Sequence, residues 1–241
     1  MTARPYVLIN VAATVDGKID TFERRGAAIS SERDRERVDR LRASVDAVMV
    51  GGRTLLQEDP RLTVRSPELR AERLARGEPE NPAKVGVISR LDLQAARDGV
   101  ASRVALPPDC RFLTAGPARI ILFTLHGSEA AWPGERAVEI YTSGSSHVDV
   151  AWALAKLLEL GIRRVLVEGG GTLNFELLHL GLVDEIQVFI APLIFGGTAA
   201  PTLADGPGLP RHLALNLQCL EVDPWPDGGV LLRYFVAQPS R

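Results

Sequence analysis

The sequence predicts an α/β fold built on a mostly parallel sheet with an antiparallel C-terminal hairpin. Two observations lead there. Short, nearly all-apolar β-branched runs (Val7-Leu8-Ile9, Val48-Met49-Val50, Val165-Leu166-Val167) alternate with helical patterns, as strands covered on both faces do. The end of the chain breaks that rhythm: Leu215–Glu221 and Val230–Val236 are extended runs around the proline- and glycine-rich turn Pro224–Gly229, which reads as a hairpin.

Taken in order, strands are expected at about Tyr6–Ala13, Ala47–Gly51, Lys84–Ile88, Arg119–Thr124, Ala137–Tyr141, Arg164–Glu168 and Glu185–Ala191. A first helix should open near Ser31, which can cap it with Asp34 at the third position, and run through Val38, Leu41 and Val45. A second carries Val150, Leu154 and Leu157 and stops at Gly161, and a third follows the triple glycine with Leu173, Leu177 and Leu178. The Arg/Glu/Pro-rich stretch Ser66–Asn81 reads as a surface excursion with one or two exposed helical turns. No internal repeat or linker divides the chain, so residues 1–241 are expected to form one domain with a core from about 5 to 236.

Composition narrows the function classes. The 241 residues are 46% hydrophobic and 24% charged, ordinary globular usage, and the net charge of -2 gives no general grip on nucleic acid or an anionic membrane. Cys110 and Cys219 stand far apart, outside any C-x-x-C or Cys/His cluster, so neither a metal site nor a disulfide framework is expected. His126, His147, His179 and His212 lie at no metal-ligand spacing. No apolar run approaches membrane-spanning length, and Met1–Tyr6 lacks the regions of a signal peptide; a soluble, cytoplasmic protein is expected.

Three glycine turns are candidates for chemistry. In Glu168-Gly169-Gly170-Gly171-Thr172-Leu173-Asn174 an apolar strand meets three glycines and then an amphipathic helix, which lets backbone N–H groups approach a phosphate at a favourable helix N-terminus. The alternative is a tight turn using glycine for geometry alone. Glu168 ends its strand where open α/β sheets place ligand-contacting groups, able to accept from a ligand amine, to face solvent, or to pair with an arginine. Gly51-Gly52-Arg53-Thr54 repeats the strand–glycine–helix pattern, so Thr54 and the N–H groups after it can hold an anion. Beyond it, Glu58 and Asp59 beside Arg61 and Arg65 form a charged loop. Thr14-Val15-Asp16-Gly17-Lys18 is an Asp-Gly turn ending the first strand. Two phosphate-type turns without a metal cluster or a nucleophile–base pair favour a dinucleotide user over a hydrolase.

The ordered set Thr14-Val15-Asp16-Gly17-Lys18-Ile19, Leu41-Arg42-Ala43, Asp59-Pro60-Arg61-Leu62-Thr63-Val64-Arg65, Asn81-Pro82, Glu168-Gly169-Gly170 and Leu182-Val183-Asp184-Glu185 resembles the reductase family of riboflavin biosynthesis. That family comprises the C-terminal domain of the bifunctional deaminase–reductase and its stand-alone relatives. The resemblance implies a dihydrofolate-reductase-like fold, NADPH as hydride donor, a homodimer, and reduction of the ribosylamino group of a pyrimidine 5′-phosphate to a ribitylamino group. By motif, Thr54, Glu58 and the turn and helix Gly170, Gly171, Thr172, Leu173 and Asn174 would contact cofactor. Arg42, Leu62, Arg65 and Glu168 would contact substrate, and Asp16 and Gly17 would shape the cleft at the nicotinamide end. Arg90 is a candidate for the cofactor 2′-phosphate, since a guanidinium suits phosphate. The chain departs from the family pattern in lacking the deaminase's H-x-E and P-C-x-x-C zinc motif, in Ala28 where bifunctional enzymes have an aromatic, and in Glu58 where Asp is usual. Rival readings are a dihydrofolate- or dihydropteridine-type reductase on the same scaffold and a non-catalytic nucleotide-binding module. Arg42 and Arg65 favour a phosphorylated substrate.

Overall fold

The computed structural model describes residues 3–89, 106–126 and 136–237. Among them are nine strands: β1 (Tyr6–Thr14), β2 (Ala47–Gly51), β3 (Ala83–Val87), β4 (Ile120–Thr124), β5 (Glu139–Thr142), β6 (Arg164–Val167), β7 (Glu185–Ala191), β8 (Leu217–Pro224) and β9 (Val230–Val236). The helices are α1 (Glu32–Ala43), α2 (Gly52–Glu58), α3 (Pro67–Ala75), α4 (Arg111–Thr114), α5 (Val150–Glu159) and α6 (Gly171–His179). The chain divides into two compact units, Met1–Pro5 with Val38–Val165, and Tyr6–Arg37 with Leu166–Arg241; the division falls within α1 and β6.

The first unit carries strands in the order β5-β4-β3-β2, every pair parallel. All residues of β3 and β4 are buried; β4 accordingly reads as a nearly all-apolar run, whereas β3 is interrupted by Lys84. Within the Ser66–Asn81 excursion the expected helical turns form, and one of their charged residues is buried. Ser66 accepts a hydrogen bond from the Leu69 N–H at 3.1 Å, Pro67 takes the first helical position, and α3 results. Arg73, only 2% exposed, donates to the carbonyls of Ala43 (3.0 Å), Val45 (2.9 Å) and Pro79 (2.8 Å). A buried arginine is tolerable when its donors are taken up, and here the Glu78 carboxylate also lies 3.3 Å from the guanidinium; composition alone cannot show that.

Lys84 of β3 is likewise fully buried, and its ammonium group donates to the carbonyls of Phe112 (2.8 Å) and Ala115 (2.6 Å) at the end of α4. Burial without a carboxylate partner pushes its pKa down from 10.5 to about 8. Between those values the unfolded chain binds a proton that the folded chain does not, so this group makes stability rise with pH across that window and fall as pH drops towards about 8. The nearby Cys110 thiol, pushed up by burial to about 11 from 9.0, acts oppositely, its folded form gaining no help from deprotonation. Comparing wild type with Lys84→Met isolates the lysine. Chemical denaturation from pH 7.5 to 10.5 should show the wild type gaining on the variant as pH rises, and a constant difference would remove Lys84 as a titrating group.

In the second unit β1 pairs in parallel with β7, with Asn10 opposite Gln187 and Ala12 opposite Phe189; β7–β9 and β9–β8 are antiparallel, giving the expected C-terminal hairpin. Phe189 stacks on Trp225 at 5.0 Å between centroids, joined by Ile29 and Leu231. Ser31 accepts from the Asp34 N–H at 3.3 Å and α1 begins at Glu32, as the capping pattern requires. From α1, Arg37 donates to Gln187 (2.6 Å), Asn10 (2.7 Å) and Asp34 (2.7 Å), a buried polar cluster that apolar periodicity does not reveal. Because β7 lies between β1 and β9, its Val188, Phe189 and Ala191 are core residues. The apolar run Gln187–Phe195 thus owes its length to core burial and leaves Leu193 and Ile194 as its exposed large side chains.

Candidate active site

The first unit places Arg42, Leu62 and Arg65 around one loop. Arg42, in the last turn of α1, donates to the Thr63 carbonyl at 3.1 Å. Asp39, one turn earlier on the same helix face, accepts from the backbone N–H groups of Arg65 (2.6 Å) and Ser66 (2.8 Å). Asn81 accepts from the Val64 N–H at 2.9 Å, and Arg70 donates to the Arg65 carbonyl at 2.8 Å. Leu62 is fully buried in the left-handed region at φ 52°, so the loop turns sharply over an anchored side chain. The Arg65 side chain projects exposed from this scaffold, with no ion-pair or hydrogen-bond partner among the described residues. Asp59 does not pair with it; Asp59 meets Arg111 at 3.3 Å and the Phe112 N–H at 3.1 Å. Asp39 is the positioning residue that motif reading passed over, although its three-residue spacing to Arg42 was legible; Asn81 stands in the motif set without an assigned role.

Thr54 and Glu58 sit on α2, whose first residue, Gly52, follows β2 directly. A Cβ at Gly52 would lie 3.2 Å from the Val87 carbonyl oxygen, so glycine lets the helix start close against the end of β3. Both side chains are half-buried.

The second unit carries the other two turns. The Thr14 hydroxyl donates to Asp16 at 2.6 Å, and Asp16 also accepts from the N–H groups of Phe195 (3.2 Å) and Gly196 (2.7 Å). The Thr14 hydrogen bond holds the Asp16 carboxyl below the usual carboxylate range; partial desolvation opposes it and the two N–H groups add to it. Gly17 takes φ 78°, a conformation natural to glycine, and closes the turn onto the Thr14 carbonyl.

After β6, Glu168 is half-buried, and Gly169 takes φ 96° ahead of a cis peptide bond to Gly170. Gly170 is the N-cap of α6 and provides no side-chain cap, which leaves the N–H groups of the first turn for another acceptor. Thr172 is exposed, whereas Leu173 and Asn174 are buried. Asn174 donates to the Leu203 carbonyl at 2.8 Å and the Asp205 N–H donates to the Gly171 carbonyl at 3.0 Å. Lys18 forms a β-bridge with Thr202, so Pro201–Asp205 ties the Asp16 turn to the glycine turn. That link runs through a segment without strand or helix periodicity. Arg90 lies outside the described residues.

Among the described residues no group of three or more His, Cys, Asp or Glu is placed to hold a metal ion, and no helix is long and apolar enough to cross a membrane. The 2,5-diamino-6-ribosylamino-4(3H)-pyrimidinone 5′-phosphate reductase of Archaeoglobus fulgidus is 41% identical over 203 residues, 84% of this chain and 87% of its own. The protein of the same name from Methanothermobacter thermautotrophicus is 39% identical over 212 residues, 86% of each chain. A solved diaminohydroxyphosphoribosylaminopyrimidine deaminase/5-amino-6-(5-phosphoribosylamino)uracil reductase from Thermotoga maritima superposes with TM-score 0.68 at 28% identity, over 97% of this chain and 57% of that one. The model of the RibD C-terminal domain matches residues 5–231, which take in every turn described above, and the chain therefore belongs to the RibD C-terminal domain family.

Proposed function

We propose that the chain is a single reductase domain of dihydrofolate-reductase-like fold that uses NADPH to reduce the ribosylamino group of a pyrimidine 5′-phosphate to a ribitylamino group in riboflavin biosynthesis. The observation that carries this reading is 41% identity to a reductase of that printed substrate over most of both chains. The residues fit the cofactor: the uncapped start of α6 behind Gly169–Gly171 suits a phosphate of a dinucleotide. NADPH, when bound, supplies the hydride. The chain then has to orient and neutralise. Arg42 and Arg65 offer guanidinium forks for the substrate phosphate, Leu62 anchors the loop bearing Arg65, and the Glu168 carboxylate accepts from pyrimidine N–H groups. Thr54 and Glu58 contact the cofactor from α2, and Gly170 to Asn174 from the other turn. Asp16 and Gly17 fix the turn at the nicotinamide end.

The test is direct. Mixed with NADPH and the ribosylaminopyrimidine phosphate, the protein should bleach the nicotinamide absorbance band, with NADPH preferred to NADH. Turnover of a dihydropteridine alone would instead favour the folate-type reading, and binding of NADPH without any turnover the non-catalytic module. We also propose a cytoplasmic homodimer. The large apolar side chains exposed on the β8–β9 hairpin (Leu217, Leu220, Val222 and Phe235) support association. Light scattering at micromolar concentration should give twice the chain mass, and a monomer mass would refute it.

A further inference from the structure

We propose that a cavity of about 470 Å³ in the first unit binds a small sugar phosphate, separately from the glycine turns and from Arg65. Its walls come from four separated segments: the loop carrying Arg61, Arg70 of α3, Glu80–Asn81 ahead of β3, and Arg111–Pro117 ahead of β4. The cavity therefore opens where β3 and β4 begin. The strand–glycine turn bearing Thr54 follows the opposite, C-terminal end of the parallel β2, the end where open α/β sheets ordinarily hold ligands.

The wall chemistry selects an anion. Three arginines, Arg61, Arg70 and Arg111, line the cavity against one acidic residue, Glu80. Arg70 is fixed by Glu80 (2.8 Å) and by the carbonyls of Val64 (3.1 Å) and Arg65 (2.8 Å), which engage Nε and Nη1 and leave Nη2. Arg111 is fixed by Asp59 (3.3 Å) and the Glu58 carbonyl (2.8 Å) through Nε and Nη2, leaving Nη1. Arg61 is exposed and has no hydrogen-bond or ion-pair partner among the described residues, so its whole fork is available. Two immobilised guanidinium groups with spare donors, beside one exposed arginine, suit a phosphate monoester, because two of the three groups need no ordering in the binding step.

The cavity is also preformed. Asn81 bridges its walls, accepting from the Val64 N–H at 2.9 Å and donating to the Pro117 carbonyl at 3.2 Å. Gly116, at φ 66°, brings the Arg111–Pro117 segment so close that a Cβ there would lie 3.2 Å from both Asn81 and Thr63. The volume is larger than inorganic phosphate needs and falls within the roughly 300–1,000 Å³ of small-molecule sites. Thr63 and Thr114 among the lining residues carry hydroxyl groups that suit a hydroxylated body.

Calorimetric titration of the whole chain with glucose 6-phosphate tests this without NADPH or turnover, so its outcome is independent of the proposed reductase activity. Saturable binding is expected at millimolar ligand or below, with none for glucose. Arg61→Glu should weaken it at least tenfold and Arg61→Gln by less, at unchanged melting temperature, as befits an exposed, unpaired side chain. Arg65→Ala should leave it unaltered. Absence of binding in wild type, equal binding by Arg61→Glu, or loss with Arg65→Ala would each overturn the assignment, the last by moving the ligand to the proposed substrate loop.

Discussion

Replacing Arg65 with alanine is expected to raise the substrate dissociation constant roughly ten- to over a hundredfold, the loss of a charge-assisted bidentate contact worth about 1.5–3 kcal/mol, with NADPH affinity nearly unchanged. The architecture of the loop makes this a clean substitution. Its backbone is held by Asp39, Asn81 and Arg70, and Arg42 grips the Thr63 carbonyl, all contacts that survive removal of the Arg65 side chain. The guanidinium itself has no partner among the described residues, so truncation leaves no buried group unpaired. Arg65→Lys should recover only part of the affinity, because an ammonium keeps the charge and loses the fork. Calorimetry for both ligands and a melting curve on one variant decide the matter: a lower melting temperature with an unaltered ratio of substrate to cofactor affinity would make Arg65 a stabilising residue of the loop and take it out of the site.

The legible parts of the fold were those governed by period and by glycine. The bounds of β2 and β7 agree with expectation to the residue, and β3, β4 and β6 shift by only a residue at their ends, because buried parallel strands are short apolar runs between turn signals. The Asp-Gly and triple-glycine turns were equally visible, since positive φ at Gly17 and Gly169 requires the residue that marks them. Buried charge was not. Arg73 and Lys84 look like surface residues in sequence, and only the tertiary fold supplies the carbonyls that take up their donors. The same limit hid Asp39 and Asp205, whose partners lie 26 and 34 residues away and are backbone groups without a sequence signature. Motif likeness reached the residues that face ligands better than those that hold them.

The glycine turn gives the second large effect, and its two neighbouring glycines should respond differently. Gly170 takes φ -75°, a conformation open to any residue, so Gly170→Val should fold. A branched side chain at the helix cap would nonetheless keep a phosphate from the backbone N–H groups of the first turn, raising the NADPH dissociation constant roughly tenfold or more, about 1.4 kcal/mol upwards. Gly171 is constrained by packing: a Cβ there would lie 2.5 Å from the Thr202 carbonyl oxygen and 2.9 Å from the Asp205 carboxyl. Because the nearer atom is backbone, either the start of α6 or the Thr202–Asp205 segment must move, and the hydrogen bond from the Asp205 N–H to the Gly171 carbonyl moves with it. Gly171→Ala should therefore cost about 1–3 kcal/mol of stability, as overpacking does, and weaken NADPH as a consequence. Urea denaturation and fluorescence titration with NADPH on both variants separate the two roles. If Gly170→Val folds normally and binds NADPH as tightly as wild type, the three glycines serve the geometry of the strand–helix turn and the cofactor phosphate lies elsewhere.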